Sequence, residues 1–536
     1  MPAAQAAASS WCGRSPTSAT RPAAPRDTIP LASSGEFSID RSPSGSRSFA
    51  WAGDMEAAQP LHGPRGSGRR RPGAVPALSP TVAWRPRVRV AKKSQRIPWD
   101  GGTVANGAVD GHAGDEPLKA GPQEATNRET AMREDDRVGA RVKLLRTLLG
   151  MTQKALAQRA SVSTSLVSQV ERGVVPASPG FIAAVARALD VAQPRLTGQP
   201  YRDEAADLIS RHSLAPLRRE LAAYRLPPAE DDPRPRPLCE LRASVAALSA
   251  ARHRSDLTTL GATAPGLLAE LRAATHYFAP GPDRNAAYGL LAETYAAAGQ
   301  LVWRLGHGDL SQGITDRYLW AADQSDDWLA QRVGDYQLAG ELAAVGEWTG
   351  ARRTVNAAID DVETLLTGST ADPAVWAVWG NLHLKAGLIA ARSGDADTAW
   401  THHREAVDAV GRLDVPERDD YRLVFGRTSV AIWRVGLAVE LQDGATALAA
   451  ADDVHPPADY TAPERIGHFH IDAARAAVYH GDRARALGEL LLARRVSPQQ
   501  TRNHPMVRET MHALAYAERY ASGTLREMAT WVGMED

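Results

Sequence analysis

Apolar residues recur with a helical period from about residue 137 to the end of the chain, and with no lasting period before it. In "DRVGARVKLLRTLLG" (136–150), Val138, Val142, Leu145 and Leu149 fall on one face of a helix that Gly150 closes at its C′ position. Thr152 offers the cap of a short second helix, "QKALAQRA", with Ala155 and Leu156 turned inward. Ser161 and Val162 make a turn, and Ser163 caps a third helix, "TSLVSQVER", that ends at Gly173. Val167 and Val170 face its core, which leaves Thr164, Ser165, Ser168 and Gln169 on the outer side. Ser178 followed by Pro179 starts a fourth helix with Phe181, Ile182, Val185 and Leu189 as its apolar face. Two short helices joined by a tight turn, the second with a small-polar outer face, describe a helix-turn-helix, whose second helix enters the DNA major groove.

Beyond residue 200 the pattern stays helical, broken by the Pro-rich stretch "RLPPAEDDPRPRP" (225–237), which predicts a long loop. A unit recurs: a helix, a Gly near an acidic or small residue, then a second helix. Gly308, Gly346, Gly394, Gly444 and Gly481 mark it at intervals of about 37 to 50 residues. An Ala five residues on, at 351, 399 and 486, lets the next helix come close. Units of this kind bury their faces only by stacking, as in an α-solenoid. The expected fold class is therefore all-α: a small helix-turn-helix DNA-binding domain at 132–198, a helical linker region at 199–284, and a repeat domain at 285–536.

Residues 1–131 are rich in Ala, Pro, Gly, Ser and Arg and read as a disordered extension. Between Glu56 and Asp100 it is purely basic, including Arg69, Arg70 and Arg71. It reads as a phosphate-contacting arm, as a solvated tail, or as a stretch not translated at all if synthesis begins at Met132. The chain of 536 residues has a formal net charge of +0, so any affinity for nucleic acid must be local. Cys12 and Cys239 are its only cysteines, which argues against a disulfide framework and fits a cytoplasmic protein. No apolar run is long enough to span a membrane.

Residues 137–196 resemble the Cro/phage-repressor type of helix-turn-helix, the xenobiotic-response-element (XRE) family of regulators, through "GMTQKALAQRA", "VSTSLVSQVERG" and "FIAAVARALDV". The resemblance implies that Gln153 contacts a phosphate or the outermost base, that Thr164, Ser165 and Gln169 read bases, and that Arg146 and Glu171 form a structural pair. Leu166 departs from it, standing where small polar residues are common. The residue types fit independently: Gln pairs bidentately with adenine, and Ser or Thr meets either kind of base edge. Arg141, Lys143, Lys154, Ser163, Ser168 and Arg172 complete the expected DNA surface. A dimer on an inverted-repeat operator is expected, because one small head reads one half-site.

Residues 285–500 resemble a degenerate tetratricopeptide (TPR) array, which implies an effector, a small peptide or small molecule, on the inner face. Counting back from the glycines places Tyr295, Tyr336, Asn381, Arg392, Trp433, His468 and Arg475 on that face, either lining a groove or packing between repeats. No GxxxxGK, HExxH or GxSxG motif is present, and "HFHID" sets His468 and His470 on opposite sides of a helix. No enzyme activity, cofactor or metal is therefore expected. A protein-interaction scaffold with a vestigial head is the alternative to a regulator.

Overall fold

The computed structural model describes residues 137–201, 204–366, 372–517 and 522–534; the expectations for the N-terminal extension lie outside them. The head comprises α1 (Val138–Leu148), α2 (Gln153–Ala160), α3 (Thr164–Glu171), α4 (Pro179–Leu189) and the short α5 (Pro194–Thr197). The side chains of Thr152, Ser163 and Ser178 each accept the backbone N–H three residues on, as their positions in the sequence predict. Ser161 takes the left-handed conformation between α2 and α3 (φ 56°). Val138, Val142, Leu156, Val167, Val170, Phe181, Ile182, Val185 and Leu189 are buried. Leu149 is not: it is 55% exposed beside Leu148 and Leu144, because α1 ends there and Gly150 (φ +64°) turns the chain away from the core.

The body runs from α6 (Glu204–Ala223) through α7 (Leu238–His253), α8 (Leu257–Tyr277), α9 (Pro282–Arg304), α10 (Gly308–Gln324), α11 (Trp328–Ala344), α12 (Trp348–Glu363), α13 (Pro373–Arg392) and α14 (Ala396–Val410). It continues with α15 (Arg427–Glu440), α16 (Gly444–Asp452), α17 (Pro463–His480), α18 (Arg483–Val496), α19 (Pro498–Asn503), α20 (Pro505–Ala517) and α21 (Gly523–Trp531). Successive helices pack against one another, which makes the body repeat-like, and the Pro-rich stretch is the irregular connection between α6 and α7.

One turn recurs along the body. A left-handed residue ends a helix, and the next residue, usually acidic, caps the helix that follows. The left-handed positions are Ser255, Gly306, Asp326, Gly346, Gly394, Gln442 and Gly481. Asp256, Asp327, Glu347, Asp395, Asp443 and Asp482 cap with their carboxylates. Two glycines of the sequence pattern are therefore displaced. Gly308 and Gly444 open helices, and the turns are made by Gly306 and Gln442. Gly444 serves close approach instead: a Cβ there would lie 2.8 Å from the Ala476 carbonyl oxygen of α17. Ala351, Ala399 and Ala486 are fully buried.

A second interruption of the body lies further along the chain. Between α14 and α15 a two-stranded antiparallel hairpin pairs β1 (Glu417–Arg418) with β2 (Phe425–Gly426). Phe425 buries against Gly380 of α13, where a Cβ would stand 2.1 Å from its ring. The tip reaches distant helices, with the Tyr421 hydroxyl donating to Asp327 (2.9 Å) and Arg422 to Glu293 (2.8 Å). Deeper in the body, His383 and His402 bring their Nδ1 atoms to 3.0 Å. Burial, reinforced by His402, pushes the His383 imidazole down to about 3.

Two outcomes follow for stability. Gly394→Ala adds a methyl that meets nothing, so it isolates the left-handed backbone cost, about 1–2 kcal/mol, while Asp482→Ala removes a cap for about 1 kcal/mol; both are read from denaturant midpoints of the full chain. An imidazole whose native pKa is depressed stabilises the fold above its unfolded value near 6.5, and that stability drains as pH falls toward 3. Acid titration followed by circular dichroism should therefore show a steep loss below pH of about 6.5 that His383→Gln makes shallower; superimposable profiles would exclude His383 as a cause.

Candidate nucleic-acid interface

The geometry of the head rests on one buried carboxylate. Glu171, the last residue of α3, is 7% exposed. It takes a two-pronged contact from Arg146 of α1, Nε to Oε1 at 2.6 Å and Nη2 to Oε2 at 3.0 Å. Gln153 Nε2, from the first residue of α2, donates to the same Oε2 at 2.7 Å. Arg146 Nη1 closes the circuit on the Met151 carbonyl at 2.7 Å. The hydrogen bond to Glu171 raises the guanidinium pKa against the opposing effect of burial. Three helices are thus tied at fixed angles by one acid.

The expected reading surface divides into committed and uncommitted side chains. Thr164 and Ser165 are exposed, Ser168 and Gln169 half-buried, and their side chains make no hydrogen bond within the described residues. Lys143 and Lys154 are exposed. Ser163 is exposed too, but its hydroxyl accepts the Leu166 N–H at 3.1 Å as the cap of α3. Arg172 is exposed and its Nε donates to the Ser168 carbonyl at 3.2 Å, one turn back. Gln153 is half-buried, its amide nitrogen engaged by Glu171. Arg141 reaches the Leu196 carbonyl of α5 at 3.4 Å. Leu166 is half-buried against the core rather than presented outward.

The head is not a separate bead. Its core is continuous with that of α15–α18, α20 and α21. Gly180 at the start of α4 packs on the end of α13, where a Cβ would lie 2.7 Å from the Arg392 carbonyl oxygen. Sequence reasoning missed the key contact. Glu509 of α20, 8% exposed, accepts the N–H of Val138 at 3.2 Å and of Ala177 at 3.4 Å. Burial raises its pKa; those two N–H groups, then Arg141 and Arg137, oppose the rise. Arg137, preceding α1, gives no side-chain cap, so the cap arrives from the far end of the chain. A helix start lacking a local cap was the one available signal.

The expected inner-face residues separate likewise. Tyr295 and Asn381 are each 1% exposed, so of the two roles open to them they take packing, not groove lining. Tyr295 packs in the main core, and Asn381 donates to the Ala377 carbonyl of its own helix at 3.0 Å. Trp433 is half-buried against the same core, and Tyr336 lies under the Lys385 ammonium, 4.1 Å from the ring centroid. Arg392, His468 and Arg475 do converge. Arg475 is 4% exposed and pairs with Asp472 (2.8 Å) and Glu440 (3.1 Å). Arg392 approaches Glu440 at 3.5 Å, and His468 approaches Asp472 at 3.7 Å. His470 points elsewhere, to Glu489 on α18 at 2.7 Å.

Comparison with known proteins agrees with the geometry of the head. The model of a family described as a helix-turn-helix domain matches residues 137–197. The head is a helix-turn-helix domain, which supports DNA binding. No curated protein sequence matches the chain. Among solved structures, the crystal structure of BtubC (BKLC) from P. vanneervenii is similar at 16% identity, over 48% of this chain and 90% of that one, with a TM-score of 0.28. Among the described residues no helix is long and apolar enough to cross a membrane.

Removing one partner of a buried ion pair strands the other. Arg146→Ala should cost about 3 kcal/mol, seen as lost amide-exchange protection in α1–α3, whereas Thr164→Ala should stay within about 0.5 kcal/mol of the parent. Equal effects of the two would show that Glu171 does not organise the head.

Proposed function

We propose that this chain is a sequence-specific DNA-binding transcriptional regulator of the XRE type. It reads an inverted-repeat operator as a homodimer, and its TPR-like body senses a peptide or small-molecule effector. The observation that carries the reading is a recognition helix whose position is fixed internally while its outer side chains stay uncommitted. The side chains of Thr164, Ser165, Ser168 and Gln169 have no other hydrogen-bonding task among the described residues, and Lys154 and Arg172 stand beside them for phosphates. The reading assigns no catalysis to the chain and places it in the cytoplasm, on the nucleoid when bound.

A regulator needs its sensing and reading parts joined, and the packing supplies a joint. The Arg392 carbonyl lies against Gly180 of the head, while the Arg392 guanidinium faces Glu440, the partner of buried Arg475. An effector that competes for Glu440 or Arg475 would shift the end of α13 and, with it, the N-terminus of α4. Population of the DNA-competent state then follows the effector's differential affinity.

Fluorescence anisotropy on a selected operator and on random duplex, at several salt concentrations, tests the assignment of roles. Gln169→Ala should cost about 1–3 kcal/mol on the operator and little on random DNA. Lys154→Ala should weaken both and reduce the salt slope by about 1. Uniform losses for both variants on both duplexes would remove the base-reading role.

A further inference from the structure

The body contains an open cavity of about 320 Å³ that neither the reading helix nor the Arg475 cluster uses. Its walls include Ser249, His253 and Arg254 of α7 and its end, Asp419 and Arg422 of the hairpin, and Thr461 ahead of α17. His253 is 4% exposed. Its Nε2 meets Asp419 Oδ2 at 3.1 Å, while its Nδ1 has no hydrogen-bond partner and stands 4.0 Å from the nearest acid, Glu464. Arg422 Nη1 approaches the same Asp419 oxygen at 3.4 Å. The other oxygen, Asp419 Oδ1, is buried without a partner. Burial alone would lift this carboxyl; the hydrogen bond from His253 and the charges of His253, Arg422 and Arg252 outweigh it and hold the group below its usual range. An ionised oxygen is therefore buried with nothing donating to it.

The wall is built, not accidental. Glu293 anchors both Ser249 (2.6 Å) and Arg422 (2.8 Å). Tyr421, Arg422 and Val424 all carry positive φ (51°, 58° and 40°), unusual for side-chain-bearing residues and most of all for Val. Such backbone persists where surrounding contacts over-determine it, and it concentrates at functional sites. Arg254 is exposed at the same cavity and makes no ion pair or hydrogen bond within the described residues.

Asp419, whose Oδ1 has no donor among the described residues, and Arg254, whose guanidinium has no acceptor among them, thus line one cavity. A buried carboxylate oxygen left unpaired is costly, so a ligand that supplies a donor is favoured over one that does not. We propose that this cavity binds a small amino-carboxylic acid, its ammonium donating to the Asp419 carboxylate and its carboxylate held by Arg254. A volume of about 320 Å³ lies at the small end of ligand sites and suits a single amino acid rather than an extended peptide. Binding at this site does not depend on the head's binding DNA, so the two readings fail separately.

The test uses the full chain with each of the standard L-amino acids and γ-aminobutyrate, by calorimetry and thermal shift. At least one should bind with Kd below about 1 mM, and its N-acetyl and carboxamide forms should each bind at least about tenfold more weakly. Asp419→Asn should weaken the parent ligand by a similar factor. Arg254→Gln should do the same, and because Arg254 is exposed and unpaired that variant keeps its native circular dichroism, so it decides the matter if Asp419→Asn does not fold. No binding by any member of the panel at about 10 mM would overturn the proposal. So would a binder equally tight in its N-acetyl form, or one indifferent to Arg254→Gln.

Discussion

The contact on which the reading surface depends is the Glu171 carboxylate, held by Arg146 and Gln153 beneath the recognition helix. Its burial is costly unless it is paired and hydrogen-bonded, and here the charged fork and the amide supply three donors. The result fixes α1, the entry of α2 and the exit of α3 together. A helix proposed to present Thr164, Ser165 and Gln169 to a groove gains little from those residues' own helix propensity. Its position has to be imposed from behind, and the apolar Val167 and Val170 with Glu171 impose it.

A second carboxylate does the corresponding work at the other face of the head. Glu509 caps the start of α1 and holds the Ala177 N–H just before α4. The first N–H groups of a helix have no intrahelical partner, and Glu509 satisfies the one at Val138. The two acids divide the labour. Glu171 shapes the head internally, and Glu509 seats it on the body, in an arrangement that leaves Thr164 and Ser165 exposed. With Gly180 against Arg392, the seating makes head and body one packed unit rather than two domains on a tether.

Much of the head was legible because its determinants are local. Thr152, Ser163 and Ser178 cap within three residues, and Val167 and Val170 sit at helical spacing. The Arg146–Glu171 pair came from family resemblance, not from periodicity. What was not legible is what depends on distant chain. Glu509 lies 371 positions from the residue it caps. The turn positions were misread by two residues at Gly308 and Gly444, because left-handed backbone and close helix approach both select glycine and the sequence does not say which is operating. The strand pair at 417–426 is too short for a period-2 signal, and its tip is set by contacts with Glu293 and Asp327. Whether Tyr295 and Asn381 line a groove or pack between helices was not legible, because a count along a helix gives a face, not the identity of its neighbour.

The most direct test of the account is selection of the full chain on randomised duplex DNA, in parallel with a variant carrying Thr164→Ala and Gln169→Ala. If the outer face of α3 reads bases, a discrete inverted-repeat sequence is enriched by the parent and lost in the variant, whose fold is unchanged. Enrichment of the same sequence by both, or of none by either, would contradict the claim that the outer face of α3 reads DNA.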